Sequence, residues 1–190
     1  MNRTFEDDWP RIEEVSGWLF KQEAAILYDL ASRCKHDILE IGSWKGRSTV
    51  ALGLGSRSNK NKPRILSVDP FTGSREHQES GLEINTFPEY MANIEKNNLT
   101  DIVTPMKMTS AEAITQYKGR IGLLFIDGSH EYEDVKFDFL NWRKFTRRGD
   151  HIAIHDTNWP GPKQVIKENV FSNKYIIKGP INSMIVLKVR

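Results

Sequence analysis

Two short runs in the second half of the sequence combine carboxylates with imidazoles. Asp127 and His130 follow the apolar run 121–126, and His155 and Asp156 follow a second short apolar run, 151–154. Carboxylates and imidazoles bind divalent metals and exchange protons near neutral pH. If the fold brings the two runs together, the four residues form a metal site or an acid–base site.

The ligand types limit which metal would fit. Two carboxylates with water and a substrate hydroxyl suit Mg²⁺, whereas His155 as a third ligand shifts the preference toward Mn²⁺, Fe²⁺ or Zn²⁺. His130 is a candidate base, because an unperturbed imidazole has a pKa near ~6.5. Capping and hydrogen bonding of their own loop is the alternative interpretation for His155 and Asp156, and for His155 alone it is as open as metal binding. For Asp127 with His130, a functional role is favoured over a structural one, because folding seldom requires two titratable groups at a ligand-facing edge.

A glycine-punctuated turn lies in residues 38–51, ILEIGSWKGRSTVA, which read as strand, tight turn and helix. Such a junction points backbone N–H groups at a ligand. Gly42 and Gly46, preceded by Glu40, match neither the dinucleotide pattern G-x-G-x-x-G nor a P-loop. The two glycines could also simply permit the turn. If they face a ligand, Gly42→Val is expected to abolish binding and to leave the fold largely intact.

Two further residues are candidates for binding a nucleoside. Asp69 ends the predicted strand RILSVD, about two dozen positions beyond the turn, where a carboxylate can accept hydrogen bonds from a ribose diol. Ser110 is predicted to cap a short helix, and it can equally contact an adenine. Acidic residues thus end four predicted strands: Glu40, Asp69, Asp127 and Asp156.

Strand-like and helix-like segments alternate along the chain. The predicted strands are 38–41, 64–69, 102–108, 121–126, 151–154, 174–178 and 184–189, the last two joined across Gly179-Pro180. The predicted helices are 22–32, 46–55, 89–99, 111–117, one between His130 and Arg148, and 163–169. This alternation predicts a three-layer α/β sandwich with a Rossmann-like, mainly parallel seven-stranded sheet and a C-terminal antiparallel hairpin. The polar connection 70–88 is predicted to be a lid or a substrate loop.

Length and composition favour one domain, 1–190, in which residues 1–36 form an N-terminal helical cap segment. The formal net charge of +2 disfavours nucleic-acid and membrane partners, and Cys34 is the only cysteine, which excludes an internal disulfide. No segment approaches the ~20 apolar residues that span a bilayer. We expect a soluble cytoplasmic protein, and a homo-oligomer remains open.

The longest informative run, LLFIDGSHEYEDVKFDFLNW, is followed by GDHIAIHD. Together they resemble the signature of class I S-adenosylmethionine (AdoMet) dependent methyltransferases, in the group related to macrocin-type sugar O-methyltransferases and cephalosporin-biosynthesis methyltransferases. The turn E-x-G-x-x-x-G-x-S resembles the first motif of that class. The resemblance covers roughly residues 17–156.

The resemblance implies a role for each matched residue. The implied AdoMet amino-acid and turn site is Glu40, Gly42, Ser43, Gly46 and Ser48. Asp69 would hold the ribose hydroxyls, and Ser110 would lie near the adenine. Asp127 would contact the cofactor and ligate a catalytic divalent cation, Mg²⁺ or Mn²⁺, with Asp156 and His155 as further ligands. His130 would be the general base.

The sequence departs from the macrocin-type pattern at His155, where those enzymes place an acidic ligand, and from catechol-type enzymes at Thr157, where those place an amide. The function expected from the resemblance is methyl transfer from AdoMet to a hydroxyl oxygen of a small-molecule acceptor, with metal assistance unsettled. Two alternatives stay open. One is an AdoMet-fold protein that binds ligand without methyl transfer, and the other is a nicotinamide-dependent oxidoreductase.

Overall fold

A computed structural model describes residues 3–73 and 83–190. The central part of the predicted loop 70–88 lies outside these residues. The described residues form a seven-stranded sheet in the order β3-β2-β1-β4-β5-β7-β6. Its strands are β1 Asp37–Ile41, β2 Ile65–Val68, β3 Val103–Met106, β4 Ile121–Ile126, β5 His151–Ile154, β6 Tyr175–Ile181 and β7 Met184–Val189.

Helices cover both faces of this sheet. The α-helices among the described residues are α1 Phe5–Glu13, α2 Lys21–Ser32, α3 Arg47–Ser58, α4 Phe87–Lys96, α5 Ser110–Gln116, α6 Tyr132–Trp142 and α7 Pro160–Asn169. Buried side chains of α1 to α4 pack on one face, and those of α5 to α7 pack on the other. The predicted three-layer sandwich with a mainly parallel sheet is confirmed. In the described part of the chain, no helix has both the length and the apolar character needed to span a membrane.

The order in which the parallel strands are added to the sheet reverses at β1. From β1 the chain moves outward through β2 to β3, and then returns to place β4 on the other side of β1. Such a reversal opens a crevice at the carboxyl ends of the two central strands. Ile41 and Ile126 are register partners at these ends, so the residues that follow them, Gly42 and Asp127, meet at the crevice.

The C-terminal hairpin is present, but its turn differs from the prediction. β6 continues through the cis Gly179-Pro180 bond to Ile181, and the chain reverses at Asn182 and Ser183. Because β6 is an edge strand, a proline that lacks an N–H is tolerated there. Asn182 has a φ of +50°, a conformation that asparagine adopts readily in tight turns. The turn therefore places Ser183 beside the carboxyl end of β5.

Candidate functional site

A cleft of about 1060 Å³ opens at the carboxyl ends of the central strands. Its walls come from the glycine turn, the ends of β2, β4 and β5, the start of α5, most of the length of α6, and the N-terminal segment 16–19. Arg47 Nη1 donates to the Gly17 carbonyl at 2.8 Å and fastens that segment to the start of α3. The predicted site residues that line the cleft are Gly42, Ser43, Ser48, Asp69, Ser110, Asp127, His130, His155 and Asp156.

The two glycines of the turn serve different purposes. Gly42 has a φ of +84°, and a Cβ there would lie 2.2 Å from the carbonyl oxygen of Asp127. Gly46 has a φ of +94°, precedes the first residue of α3, and packs against the ring of Tyr90 outside the cleft. Gly42 thus lets the β1 turn touch the end of β4. Gly46 is not among the residues that line the cleft, and the cofactor contact that the resemblance implies for it stays a prediction.

Glu40 is not among the residues that line the cleft, and the cofactor contact that the resemblance implies for it stays a prediction. Its side chain is fully buried behind the turn. Oε2 accepts hydrogen bonds from the hydroxyls of Ser43 at 2.9 Å, Thr49 at 2.5 Å and Ser67 at 3.0 Å. Oε1 has no partner in the described part of the chain. The carboxyl group therefore positions the turn and the start of α3 from behind.

Burial raises the pKa of Glu40 to about 7, against the opposing hydrogen bonds of its hydroxyl neighbours. Between pH 4.5, the ordinary pKa of a glutamate, and about pH 7, the folded state binds more protons than the unfolded state. The free energy of unfolding therefore falls as pH rises through this window, by about 3 kcal/mol for the full shift. We expect Glu40→Gln to lose this component, measured by urea unfolding at several pH values between 4 and 8.

The control for this experiment is Glu14→Gln, which removes an exposed carboxylate paired with Lys96 at 2.7 Å. The difference between wild type and the Glu40 variant isolates the contribution of Glu40 from other titrating groups. A difference that stays constant across this pH range would contradict the expectation.

Asp69 lies in the cleft wall, but its carboxylate already binds backbone amides. Oδ2 accepts from the N–H groups of Ser43 at 2.7 Å and Trp44 at 2.9 Å, and Oδ1 accepts from the N–H of Phe71 at 2.5 Å. Trp44 has a φ of +49°, which is strained for a bulky side chain. Asp69 thus holds the strained turn in place, and its predicted contact with a ribose would use its remaining acceptor capacity.

Ser110 is not the helix cap that the sequence predicts. Thr109 is the N-cap of α5, and its side chain and that of Glu112 form a reciprocal capping box. Ser110 is the first residue of the helix and lines the cleft. Its hydroxyl accepts from Trp142 Nε1 at 2.7 Å and donates to Asp138.

The predicted carboxylate–imidazole cluster is assembled at the ends of β4 and β5. His155 Nδ1 lies 3.0 Å from Asp127 Oδ1 and 3.4 Å from Asp156 Oδ1. His130 Nε2 lies 2.9 Å from Asp156 Oδ2. Asp156 has a φ of +52°, and this left-handed conformation is tolerated by aspartate more readily than by most residues. Parallel neighbouring strands therefore bring together residues that lie far apart in sequence.

A buried carboxylate from the N-terminal region completes the cluster. Glu23 of α2 is fully buried, and its Oε2 lies 3.1 Å from His155 Nε2. Its Oε1 accepts from the N–H of Ser183 at 2.9 Å and from the Ser183 hydroxyl at 3.0 Å. Burial lowers the pKa of His155, but the charge and hydrogen bonds of the surrounding carboxylates outweigh burial and raise it to about 12. His155 is therefore the positive charge among three carboxylates.

The cluster also has the composition of a metal site. Asp127, His155 and Asp156 each offer one ligand atom, and these atoms lie within 4.8 Å of one another. A cation would take the place of the proton on His155 Nδ1, while Nε2–H would continue to donate to Glu23. Metal-binding histidines commonly donate their second N–H to a carboxylate in this way. The residues fit a divalent cation, and one imidazole with two carboxylates favours Mn²⁺, Fe²⁺ or Zn²⁺.

His130 is held on two sides at the mouth of the cleft. Asp156 contacts its Nε2, and Trp159 stacks on its ring with centroids 4.2 Å apart and planes 10° apart. Trp159 directly precedes α7, and its N–H donates to the Asp156 carbonyl at 2.9 Å. The imidazole is therefore oriented by a carboxylate and an aromatic platform, as a general base must be.

The sequence analysis assigned no individual role to two buried carboxylates, Glu23 and Asp138. Both are charged positions on an otherwise apolar helical stripe. Glu23 lies beside Ala24 and Leu27 of α2, and Asp138 lies beside Phe139 of α6. A carboxylate on the buried face of an amphipathic helix is the signal that could have identified both, because such groups require partners.

Comparison with known proteins assigns the class. A family model described as a methyltransferase domain matches residues 39–157, more than half of the chain. The chain therefore belongs to this methyltransferase family. The uncharacterized protein R132 of Acanthamoeba polyphaga mimivirus is 26% identical over 150 residues, which cover 76% of this chain and 63% of that relative. The chain thus spans less than two thirds of the relative's length.

Solved structures share the fold. The O-methyltransferase NovP has a TM-score of 0.77 at 13% identity, over 89% of this chain and 80% of its own. The O-methyltransferase from Bacillus cereus in complex with SAH has a TM-score of 0.64 at 15% identity, over 97% and 90%. CalS11, a TDP-rhamnose 3'-O-methyltransferase, has a TM-score of 0.63 at 16% identity, over 88% and 77%. The predicted membership of a methyltransferase family is confirmed by the family model, and these solved structures share the fold.

Proposed function

We propose that this methyltransferase transfers the methyl group of AdoMet to a hydroxyl oxygen of a small molecule, with a divalent cation assisting. The observation that carries the proposal is the His130–Asp156 pair beside Asp127 and His155, at the mouth of a cleft that begins at the glycine turn. An oriented imidazole suits an acceptor that must lose a proton. The cleft volume of about 1060 Å³ lies just above the ~300–1,000 Å³ range of small-molecule sites, which leaves room for a cofactor and an acceptor together.

His130, Asp156 and Trp159 have different roles in the proposed reaction. AdoMet, when bound, supplies an electrophilic methyl group on its sulfonium, so the protein must position the acceptor and remove its proton. The His130 imidazole takes the proton of the acceptor hydroxyl. Asp156 stabilises the imidazolium that results, and Trp159 keeps the ring in place.

Asp127, Asp156 and His155 would hold the cation. When bound, it lowers the pKa of the acceptor hydroxyl and offsets the negative charge that develops on the oxygen. Glu23 keeps the ring of His155 aimed at the two aspartates through Nε2. The exposed Trp18 and Trp159 border the cleft, and their flat apolar faces suit a ring-shaped acceptor.

Labelled methyl transfer tests the proposed function. Purified protein is incubated with methyl-labelled AdoMet, Mn²⁺ and a panel of phenols, catechols and sugars, and formation of S-adenosylhomocysteine (SAH) is measured. We expect acceptor-dependent formation of SAH that falls on addition of EDTA and returns with excess Mn²⁺. Asp127→Asn should abolish the response to Mn²⁺, whereas the exposed Asp29→Asn on α2 serves as the matched control.

Two outcomes would contradict parts of the proposal. Binding of SAH in calorimetry without turnover on any acceptor would favour the ligand-binding alternative. Full turnover in EDTA would show that no cation is required, and protonated His155 would then supply the positive charge beside Asp127.

A further inference from the structure

A nearly buried carboxylate in the cleft wall has no part in the chemistry described above. Asp138 of α6 is only 5% exposed, yet it lines the cleft. Oδ1 accepts a hydrogen bond from the Ser110 hydroxyl. Oδ2 makes no hydrogen bond within residues 3–73 and 83–190, and it is not among the fully buried side-chain atoms that lack a partner, so it is open to solvent. Because the rest of Asp138 is nearly buried and the residue lines the cleft, a ligand in the cleft can donate a hydrogen bond to this oxygen.

The proton positions around Ser110 are determined by its neighbours. Trp142 Nε1 can only donate, and it donates to Ser110 Oγ at 2.7 Å. The single hydroxyl proton of Ser110 is therefore directed at Asp138. Ser110 therefore has no proton left to donate to a ligand, and its oxygen already accepts from Trp142. The Asp138 oxygen that has no partner is charged and is the stronger acceptor for a ligand N–H.

The sheet order places this carboxylate at the end of the cleft remote from the reaction. Ser110 follows β3, and Asp156 follows β5, and these strands are four strand spacings apart, about 19 Å. The methyl group must lie beside His130 and Asp156, so the adenine of an extended AdoMet lies toward the β3 side. Ala111 and Leu140 supply apolar wall at that side of the cleft.

We propose that Asp138 recognises the purine of the cofactor, and that its Oδ2 accepts a hydrogen bond from the exocyclic amine of the adenine. This inference rests on the proposed binding of AdoMet. An amine at the purine 6-position donates to a carboxylate, whereas a 6-oxo group is an acceptor and is repelled by it. Asp138 would thus select adenosine over inosine in the cofactor, and Ser110 would be a positioning residue for Asp138.

Calorimetry with two ligands tests the inference without an acceptor substrate. The affinities of SAH and of S-inosylhomocysteine, which carries a 6-oxo group, are measured at pH 8.5 for wild type, Asp138→Asn and the exposed control Glu131→Gln at the start of α6. We expect wild type and the control to prefer SAH by roughly tenfold or more, as for a hydrogen bond to a charged group. Asp138→Asn should lose or reverse this preference, because its amide can turn an N–H toward the 6-oxo group.

Each result bears on the inference. Equal affinities for both ligands in wild type would overturn it without any variant, as would a wild-type preference retained in a folded Asp138→Asn protein. A variant that is destabilised but keeps the preference would show that Asp138 only ties α6 to α5. Failure of wild type to bind SAH at all would overturn the proposed cofactor and this inference with it, and it is distinct from binding without discrimination.

Discussion

His130→Ala is expected to lower kcat by roughly 10²–10⁴-fold, the contribution of a positioned general base, and to leave the affinity for SAH unchanged. The imidazole lies at the acceptor end of the cleft, held by Asp156 and stacked on Trp159. Its loss removes proton transfer and spares the glycine turn. Steady-state kinetics on an identified acceptor measure the first quantity, and calorimetry measures the second.

The matched control is His36→Ala. His36 directly precedes β1, so it lies at the amino ends of the strands, whereas the cleft lies at their carboxyl ends. Added imidazole should restore part of the turnover of His130→Ala and none of the turnover lost in Asp127→Asn. Wild-type turnover in His130→Ala would show that another group, or the cation alone, removes the proton.

Gly42→Ala is expected to lower the free energy of unfolding by roughly 2–5 kcal/mol, from the left-handed backbone and from overpacking together. A Cβ at this position meets the Asp127 carbonyl oxygen at 2.2 Å and the Gly128 Cα at 2.5 Å. Both contacts are backbone, so one of the two loops must move. Displacement of the turn should also weaken SAH binding by roughly tenfold or more, since about 1.4 kcal/mol of lost interaction is tenfold in affinity.

Gly149→Ala separates the two contributions. Gly149 has a φ of +91°, close to that of Gly42, but a Cβ there meets nothing within 4 Å. Gly149→Ala should lower the free energy of unfolding only by the conformational contribution, about 1–2 kcal/mol, and should not change the affinity for SAH. Urea unfolding and calorimetry measure both variants, and equal losses of stability would show that the contact with β4 is unimportant.

The structure changes the sequence-based expectation for this glycine. From spacing alone, bulk at Gly42 should block a ligand and leave the fold largely intact. The observed neighbours are instead the backbone at the end of β4, so the same substitution acts on the fold and on the site. Spacing indicates that a glycine is needed, but not which surface approaches it.

The sequence by itself determined the alternation of strands and helices, the glycine turn and the acidic residues at strand ends. These are local properties, and the carboxyl ends of parallel strands share one edge of a sheet whatever the details of packing. That is why Asp127, His130, His155 and Asp156 could be predicted to meet before any contact was known.

Only the tertiary structure decided which atoms pair. The sequence suggests Glu40 as a cleft residue, but Glu40 lies behind the turn. It suggests Ser110 as a helix cap, but the Ser110 hydroxyl donates a hydrogen bond to Asp138. Glu23 reaches His155 across 132 positions of sequence. Hydrogen-bond partners depend on long-range approach within a few tenths of an ångström, which neither periodicity nor spacing encodes. The local sequence thus determines which ends of the strands carry the site. The tertiary structure determines whether each carboxylate binds a turn, a histidine or a ligand.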